Sequence, residues 1–185
     1  MAVFDACVLY KAPVRDLLMH LSLTGLFRAR WTNRIHDEWI GALLQKRPDL
    51  DPGQLQRTRE LMDEAVADCL VDGYEGIEAT VELPDPDDRH VLAAAIKCGA
   101  GTIVTYNLGD FPDVVLAPFG LSAQHPDQFL EHAYHLDPVA LCTAVRNVRS
   151  GLRNPPMSAE ALLDIYQGLG LATTVAALKG HVAIL

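Results

Sequence analysis

Short apolar runs alternate with longer stretches of helical periodicity over the first two thirds of the chain, and few folds accept that order. The segment "AVFDACVLY" opens as a strand that ends near Asp5, "LFRARW" reads as a second strand and "GTIVT" as a third, buried one. Between them "PVRDLLMHLSLTG" is a helix punctuated by Gly25, and Thr32 or Asn33 caps the helix carrying "RIHDEWIGALLQKR". After the loop "PDLDPG" a further helix runs to about Ala67, followed by the short run "CLV" and the segment "GYEGIEATV". Strands separated by helices favour a parallel sheet covered on both faces, an α/β architecture.

A chain of 185 residues, half of them hydrophobic, buries a sizeable core in one domain with room for an appendage. No apolar run approaches the roughly 20 residues that span a bilayer. The N-terminus carries Asp5, Lys11 and Arg15 rather than a basic region followed by an apolar stretch, so a soluble cytoplasmic protein with no membrane partner is expected. Cys7, Cys69, Cys98 and Cys142 show no paired spacing and read as core thiols in apolar surroundings. The net charge of −9 is uneven: residues 1–136 hold 11 Lys and Arg against 21 Asp and Glu, whereas residues 137–185 hold 4 against 3. Such acidity argues against a simple electrostatic nucleic-acid binder, because phosphate binding usually needs a basic footprint. A polyanionic partner would require something to neutralise the carboxylates.

The stretch "LPDPDDRHVLAAAI" sets three aspartates directly against an apolar run. Asp85 followed by Pro86 has the form of an N-cap and first-turn proline, which makes Asp88 the third helical residue. Positions 88, 91, 92 and 95 then share one face, so Val91, Leu92 and Ala95 point at the sheet and Asp88 stands at its edge. Asp85 and Asp87 need no role beyond favouring the helix dipole. Asp5 ends the first strand, Asp110 lies in the loop after "GTIVT", and Glu38 is about a turn into its helix. In open α/β sheets ligands bind in the crevice beyond the carboxyl ends of the strands, where these four acids converge. Singly, Asp5 could cap a turn, Glu38 could be solvated and Asp110 could cap a short helix at "FPDVV". Together they would repel one another unless a hard oxygen-preferring cation, Mg²⁺ or Mn²⁺, lay among them. His132 and His135, close in sequence, read as an exposed helix pair rather than a zinc site. A haloacid-dehalogenase-like phosphatase would need a second Asp two residues after Asp5, where Cys7 stands.

"VFDACVLY", "HDEW", "DPDDRHVLAAAI" and "IVTYNLGDF", in this order and spacing, resemble a PIN domain over about residues 1–135. The resemblance implies an α/β/α sandwich around a parallel sheet and a Mg²⁺- or Mn²⁺-dependent ribonuclease site. By position, Asp5, Glu38, Asp88 and Asp110 match the family's acidic quartet, and Thr105 and Asn107 its supporting polar residues. Where some members carry an acid at the position of Asn107, this chain leaves Asp110 to supply the last metal contact. One or two bound ions would activate water for in-line attack on RNA, leaving a 5′ phosphate and a 3′ hydroxyl. Arg28, Arg30, Arg34, Lys46 and Arg47 are candidate guides for the strand.

The remaining residues, 136–185, form a helical extension whose "LRNPPMSAEALLDIYQGLGLATTVAALKG" resembles the C-terminal part of bacterial VapC-type toxins of toxin-antitoxin systems. That likeness implies a cognate antitoxin protein and a homodimer. Asp137 and Pro138 start one helix there; Ser158 starts another, with Gly168 or Gly170 as its stop. Leu162, Leu163, Ile165 and Leu169 must pack against something, since helices this small do not fold alone. Arg146, Arg149 and Arg153 recur along one helix face, either as a solvated stripe or as an RNA-binding one. The competing functional class is a PIN-like module that binds RNA or a protein partner without cutting.

Overall fold

A computed structural model describes residues 1–185. Four parallel strands, β1 (Ala2–Phe4), β2 (Ala29–Arg30), β3 (Thr102–Val104) and β4 (Ser122–Gln124), lie in the order β2-β1-β3-β4. The chain leaves β1 for β2 on one side and crosses to β3 on the other. The crevice at the carboxyl ends of β1 and β3 is therefore the topological switch point of the sheet. The first three strands stand where the apolar runs place them. β4 was not anticipated, because "SAQ" is a short, polar edge strand with no apolar alternation. The "CLV" run adds a single parallel bridge, Leu70 to Trp31, beyond β2.

The helices that follow β1 and β2 are α1 (Ala6–Leu9), α2 (Ala12–Ser22), α3 (Asn33–Lys46), α4 (Pro52–Ala65) and α5 (Glu75–Glu78). Next come α6 (Arg89–Cys98) and α7 (Asp113–Leu116). Thr32, not Asn33, caps α3, its side chain accepting from Ile35 N at 3.1 Å. Asp85 caps the turn before α6 by accepting from Asp87 N at 2.9 Å. That turn, Pro86–Asp88, is wound as a tighter 3₁₀ turn, so the α-helix begins one residue after Asp88 rather than two before it. Gly99 ends α6 at φ +67°, a left-handed conformation that places its own and the next N–H on the last carbonyls of the helix. Val91, Leu92 and Ala95 are fully buried, as the helix phase predicts, and so are Ala93 and Ala94. Helix α6 packs on β1 and β3. The parallel sheet with its packed helices is the α/β/α arrangement expected from the sequence.

Under β2 lies a polar knot inside the core. Trp31, with no exposed surface, donates Nε1–H to Asp63 Oδ1 at 2.8 Å, and His36 Nε2 lies 3.0 Å from the same oxygen. Trp39 donates to His36 Nδ1 at 2.9 Å, which fixes the tautomer with the proton on Nε2. Desolvation, outweighing the attraction of Asp63, holds the His36 imidazole below its usual pKa and so keeps it neutral.

The compact units do not follow a single cut in the sequence. One comprises Met1–Tyr10 with Phe27–His125; the other joins Lys11–Leu26 to Pro126–Leu185. In the second unit α2 packs against α9 (Pro138–Gly151) and α10 (Ala159–Gly168), while α8 (Pro126–Leu136) packs against α9 and α11 (Ala172–Leu178). Asp137 caps α9 and Ser158 caps α10, each accepting a backbone N–H three residues on. α10 ends at Gly168, and Gly170 takes the left-handed conformation beyond it at φ +87°. Leu162 and Leu163 are buried, with Ile165 and Leu169 half-buried. Asp127 reaches from α8 to accept the backbone N–H groups of Thr173 and Thr174 at 2.9 and 2.8 Å, tying α11 down. No helix of the chain is long and apolar enough to cross a membrane.

Candidate functional site

Asp5 directly follows β1 and continues the ladder, donating its N–H to Val104 O. It is 4% exposed, and its carboxylate caps nothing although it stands at the N-cap of α1. Instead Oδ2 accepts from Thr105 Oγ1 at 2.6 Å and from Cys7 Sγ at 3.0 Å. Thr105 follows β3 and is fully buried; its hydroxyl also accepts the N–H of Asn107 at 2.9 Å. Adjacent strand ends thus fix one aspartate at the switch point through a buried hydroxyl. Asn107 contributes its backbone, and its side chain is exposed and caps nothing.

Cys7 corrects the reading of the cysteines as thiols in apolar surroundings. Its sulfur lies among Asp5, Thr105 and the N–H of Tyr106. Burial, then the charge and hydrogen bond of Asp5, push the thiol up to about 12, so it is a donor here and not a nucleophile.

Asp88 closes the 3₁₀ turn before α6, and its carboxyl is raised from 3.8 to about 7. Burial is the largest cause, followed by the charges of Asp5, Asp85 and Asp110. Those three acids therefore share one electrostatic environment with Asp88. Asp85, assigned on sequence only to the cap, does both. Asp110 ends the 3₁₀ turn Leu108–Asp110 and does not cap α7, whose N-cap is Pro112.

Glu38 is placed differently. Its Oε1 lies 2.9 Å from His90 Nε2 and 3.2 Å from Arg34 Nε. His90 is a site residue that the sequence pattern did not reveal. It is 1% exposed at the start of a helix buried nearly all round, where apolar periodicity cannot separate a working face from a packing face. Arg34 also binds Glu78 at 2.8 Å and Asp87 O at 3.3 Å, so this expected RNA guide is committed to neighbouring acceptors.

The other basic candidates lie elsewhere. Arg28 precedes β2, with its carbonyl accepting from Ala2 N, at the amino-terminal edge opposite Asp5. Arg30 neighbours Cys98, at the far end of α6 from Asp88. Arg47 pairs with Asp49, and Lys46 closes α3. Arg146 is exposed on α9, and Arg149 donates to Leu185 O at 2.9 Å. α9 ends at Gly151, so Arg153 lies beyond the helix and does not extend the stripe. His132 and His135 are exposed on α8.

No three of the histidine, cysteine, aspartate or glutamate side chains stand close enough to ligate one ion without moving. The donor set at the switch point nevertheless fits a hard divalent cation, being all carboxylate oxygen and carrying an aspartate destabilised by its own neighbours. The same repulsion yields a measurable pH dependence. A carboxyl raised on folding stabilises the fold while protonated, and that contribution is lost as pH climbs from 3.8 through about 7. The full shift would amount to ~4 kcal/mol, and solvent at this half-exposed group reduces it to ~1–2 kcal/mol. In EDTA at pH 8, Asp88→Asn should be more stable than the parent by that margin, and by much less at pH 4. Urea unfolding at the two pH values checks this, and equal differences at both would contradict it.

Comparison with known proteins places this geometry in a family. Residues 1–109 match the PIN domain model, and residues 126–180 match the model described as the VapC50 C-terminal domain. A Mycobacterium tuberculosis (strain ATCC 25618 / H37Rv) protein named "Putative ribonuclease VapC50" is 42% identical over 77 residues, which cover 42% of this chain and 46% of that protein. The chain thus spans just under half the length of the curated relative it matches. No solved structure matches it. With more than half its length matching one family model, the chain belongs to the PIN domain family.

Proposed function

We propose that the protein is a divalent-metal-dependent endoribonuclease and the toxin of a toxin-antitoxin pair. The observation that carries this reading is Asp88, raised to about 7 among Asp5, Asp85 and Asp110 at the switch point of a PIN-family sheet. Three aspartates around a half-buried fourth is an arrangement a folded chain does not keep for stability. The name of the M. tuberculosis relative supports the same activity.

Asp5, Asp88, Asp110 and Glu38 would hold Mg²⁺ or Mn²⁺. When bound, the ion makes hydroxide available from water near neutral pH and offsets charge on phosphate oxygens. The chain's own residues supply order. Thr105 and Cys7 fix Asp5, and His90 and Arg34 hold Glu38. The Cys7 thiol, pushed up to about 12 by burial and by Asp5, serves as a hydrogen-bond donor to that carboxylate, and water is the nucleophile in this reading. An antitoxin partner, a homodimer and a cytoplasmic site of action belong to the same reading. In the extension, Arg146 is exposed and better placed than Arg149 to reach phosphate, since Arg149 is engaged by Leu185 O.

The test incubates purified protein with RNA and Mg²⁺ or Mn²⁺, with and without EDTA, and sequences the ends. Cleavage leaving 5′ phosphate and 3′ hydroxyl, and lost in EDTA, is expected. RNA binding without cleavage under any divalent metal would identify the non-catalytic module instead.

A further inference from the structure

We infer that His90 is a positioning residue for Glu38, engaging one carboxylate oxygen so that the other is presented to the divalent ion. The inference rests on the nuclease reading above. Both polar contacts of Glu38 fall on the same atom, Oε1: an ion-pair contact with His90 Nε2 at 2.9 Å and a hydrogen bond from Arg34 Nε at 3.2 Å. Oε2 takes none. Asp5 repeats the pattern, with Thr105 and Cys7 both on Oδ2 and Oδ1 bare. Two acids from different elements thus each offer one free oxygen, which is how a carboxylate prepared for single-oxygen ligation of a small hard cation would be held.

Of the two groups on Glu38, His90 is the rigid one. Its ring is 1% exposed and set by the packing of α6, whereas the Arg34 side chain is 40% exposed and shares its guanidinium with Glu78 and Asp87 O. Glu38 itself has three rotatable bonds and a side chain 35% exposed, so without a fixed partner it would sample many rotamers and an ion would have to order it. His90 Nδ1 is buried without a hydrogen-bond partner, so the 2.9 Å approach to Glu38 is the ring's closest polar contact, with Asp88 within electrostatic reach. A half-satisfied histidine is a poor choice for a helix interior on stability grounds, which points to the contact itself as its purpose. The geometry also joins two candidate ligands through one segment, since His90 lies two residues after Asp88 and reaches Glu38 on α3.

The test measures Mn²⁺ binding by calorimetry on the full chain, with thermal melts and RNA cleavage over a range of Mn²⁺ concentrations alongside. His90→Leu fills the space without a donor; His90→Gln restores an amide N–H at similar reach. The leucine variant should bind Mn²⁺ about 10- to 100-fold more weakly, the usual cost of removing a ligand's supporting partner. Its cleavage should fall at limiting Mn²⁺ and return at excess, and glutamine should recover most of the affinity. Should leucine fail to fold, His90→Asn, whose amide is too short to reach Glu38, takes its place. Wild-type Mn²⁺ affinity in the donorless variant, or equal loss in both variants with unchanged melts, overturns the inference alone. A parent protein that neither binds Mn²⁺ nor cuts RNA overturns the nuclease reading, and this inference with it.

Discussion

Asp5→Asn should lower metal-dependent RNA cleavage by ~10³-fold or more, because a lost anionic ligand removes several kcal/mol of charge stabilisation from the reacting phosphate. The fold should survive. Asparagine has the size of aspartate, and its amide oxygen can still accept from Thr105 and Cys7, the two donors that fix Asp5 at 2.6 and 3.0 Å. Initial rates at saturating Mn²⁺, measured beside a circular-dichroism melt, separate the two effects. Undiminished cleavage would remove Asp5 from the site; a collapsed melt would make it an architectural residue instead.

The largest loss of stability is expected at Trp31. Removing a fully buried indole typically costs ~3–5 kcal/mol, and here Trp31→Ala also takes a hydrogen bond from Asp63. The polar contacts left on that oxygen are then His36 Nε2 at 3.0 Å and the longer approach of Cys69 Sγ at 3.7 Å. Urea unfolding followed through Trp39, the second tryptophan and a neighbour of His36, reports on this core directly. A loss below ~1 kcal/mol would mean that the buried indole and the polar knot beneath β2 contribute little.

The parts of the fold that the sequence made legible are those written in periodicity and capping. β1 and β3 are short apolar runs, and the caps at Thr32, Asp85, Asp137 and Ser158 announce their helices by chemistry. β4 is polar and at an edge, so no pattern marks it. The candidate site divides the same way. Asp5 and Asp88 stand at element boundaries that a reader can locate, and the electrostatic link among Asp5, Asp88 and Asp110 follows from the switch point. His90 was invisible because it contacts its acid through tertiary packing inside an otherwise apolar segment, and Cys7 because its turn toward Asp5, two residues away, leaves no periodic mark. The arginines misled for a related reason: a basic residue's partner is chosen in space, as Arg34 shows with Glu38 and Glu78.

The pairing of α2 with the last helices bears on how the chain is made. Val14, Leu17, Leu18 and Leu21 are made well before the helices that α2 packs against, α9 and α10, the first of which begins at Pro138. During synthesis this apolar face must wait, shielded by transient contacts or a chaperone, until α9 and α10 have been made. A shortened version ending before Pro126 would contain every strand of the sheet and still carry that face bare to water. The helices from Pro138 onward are thus more than an appendage, since α2, which falls between the first two strands in sequence, packs on α9 and α10.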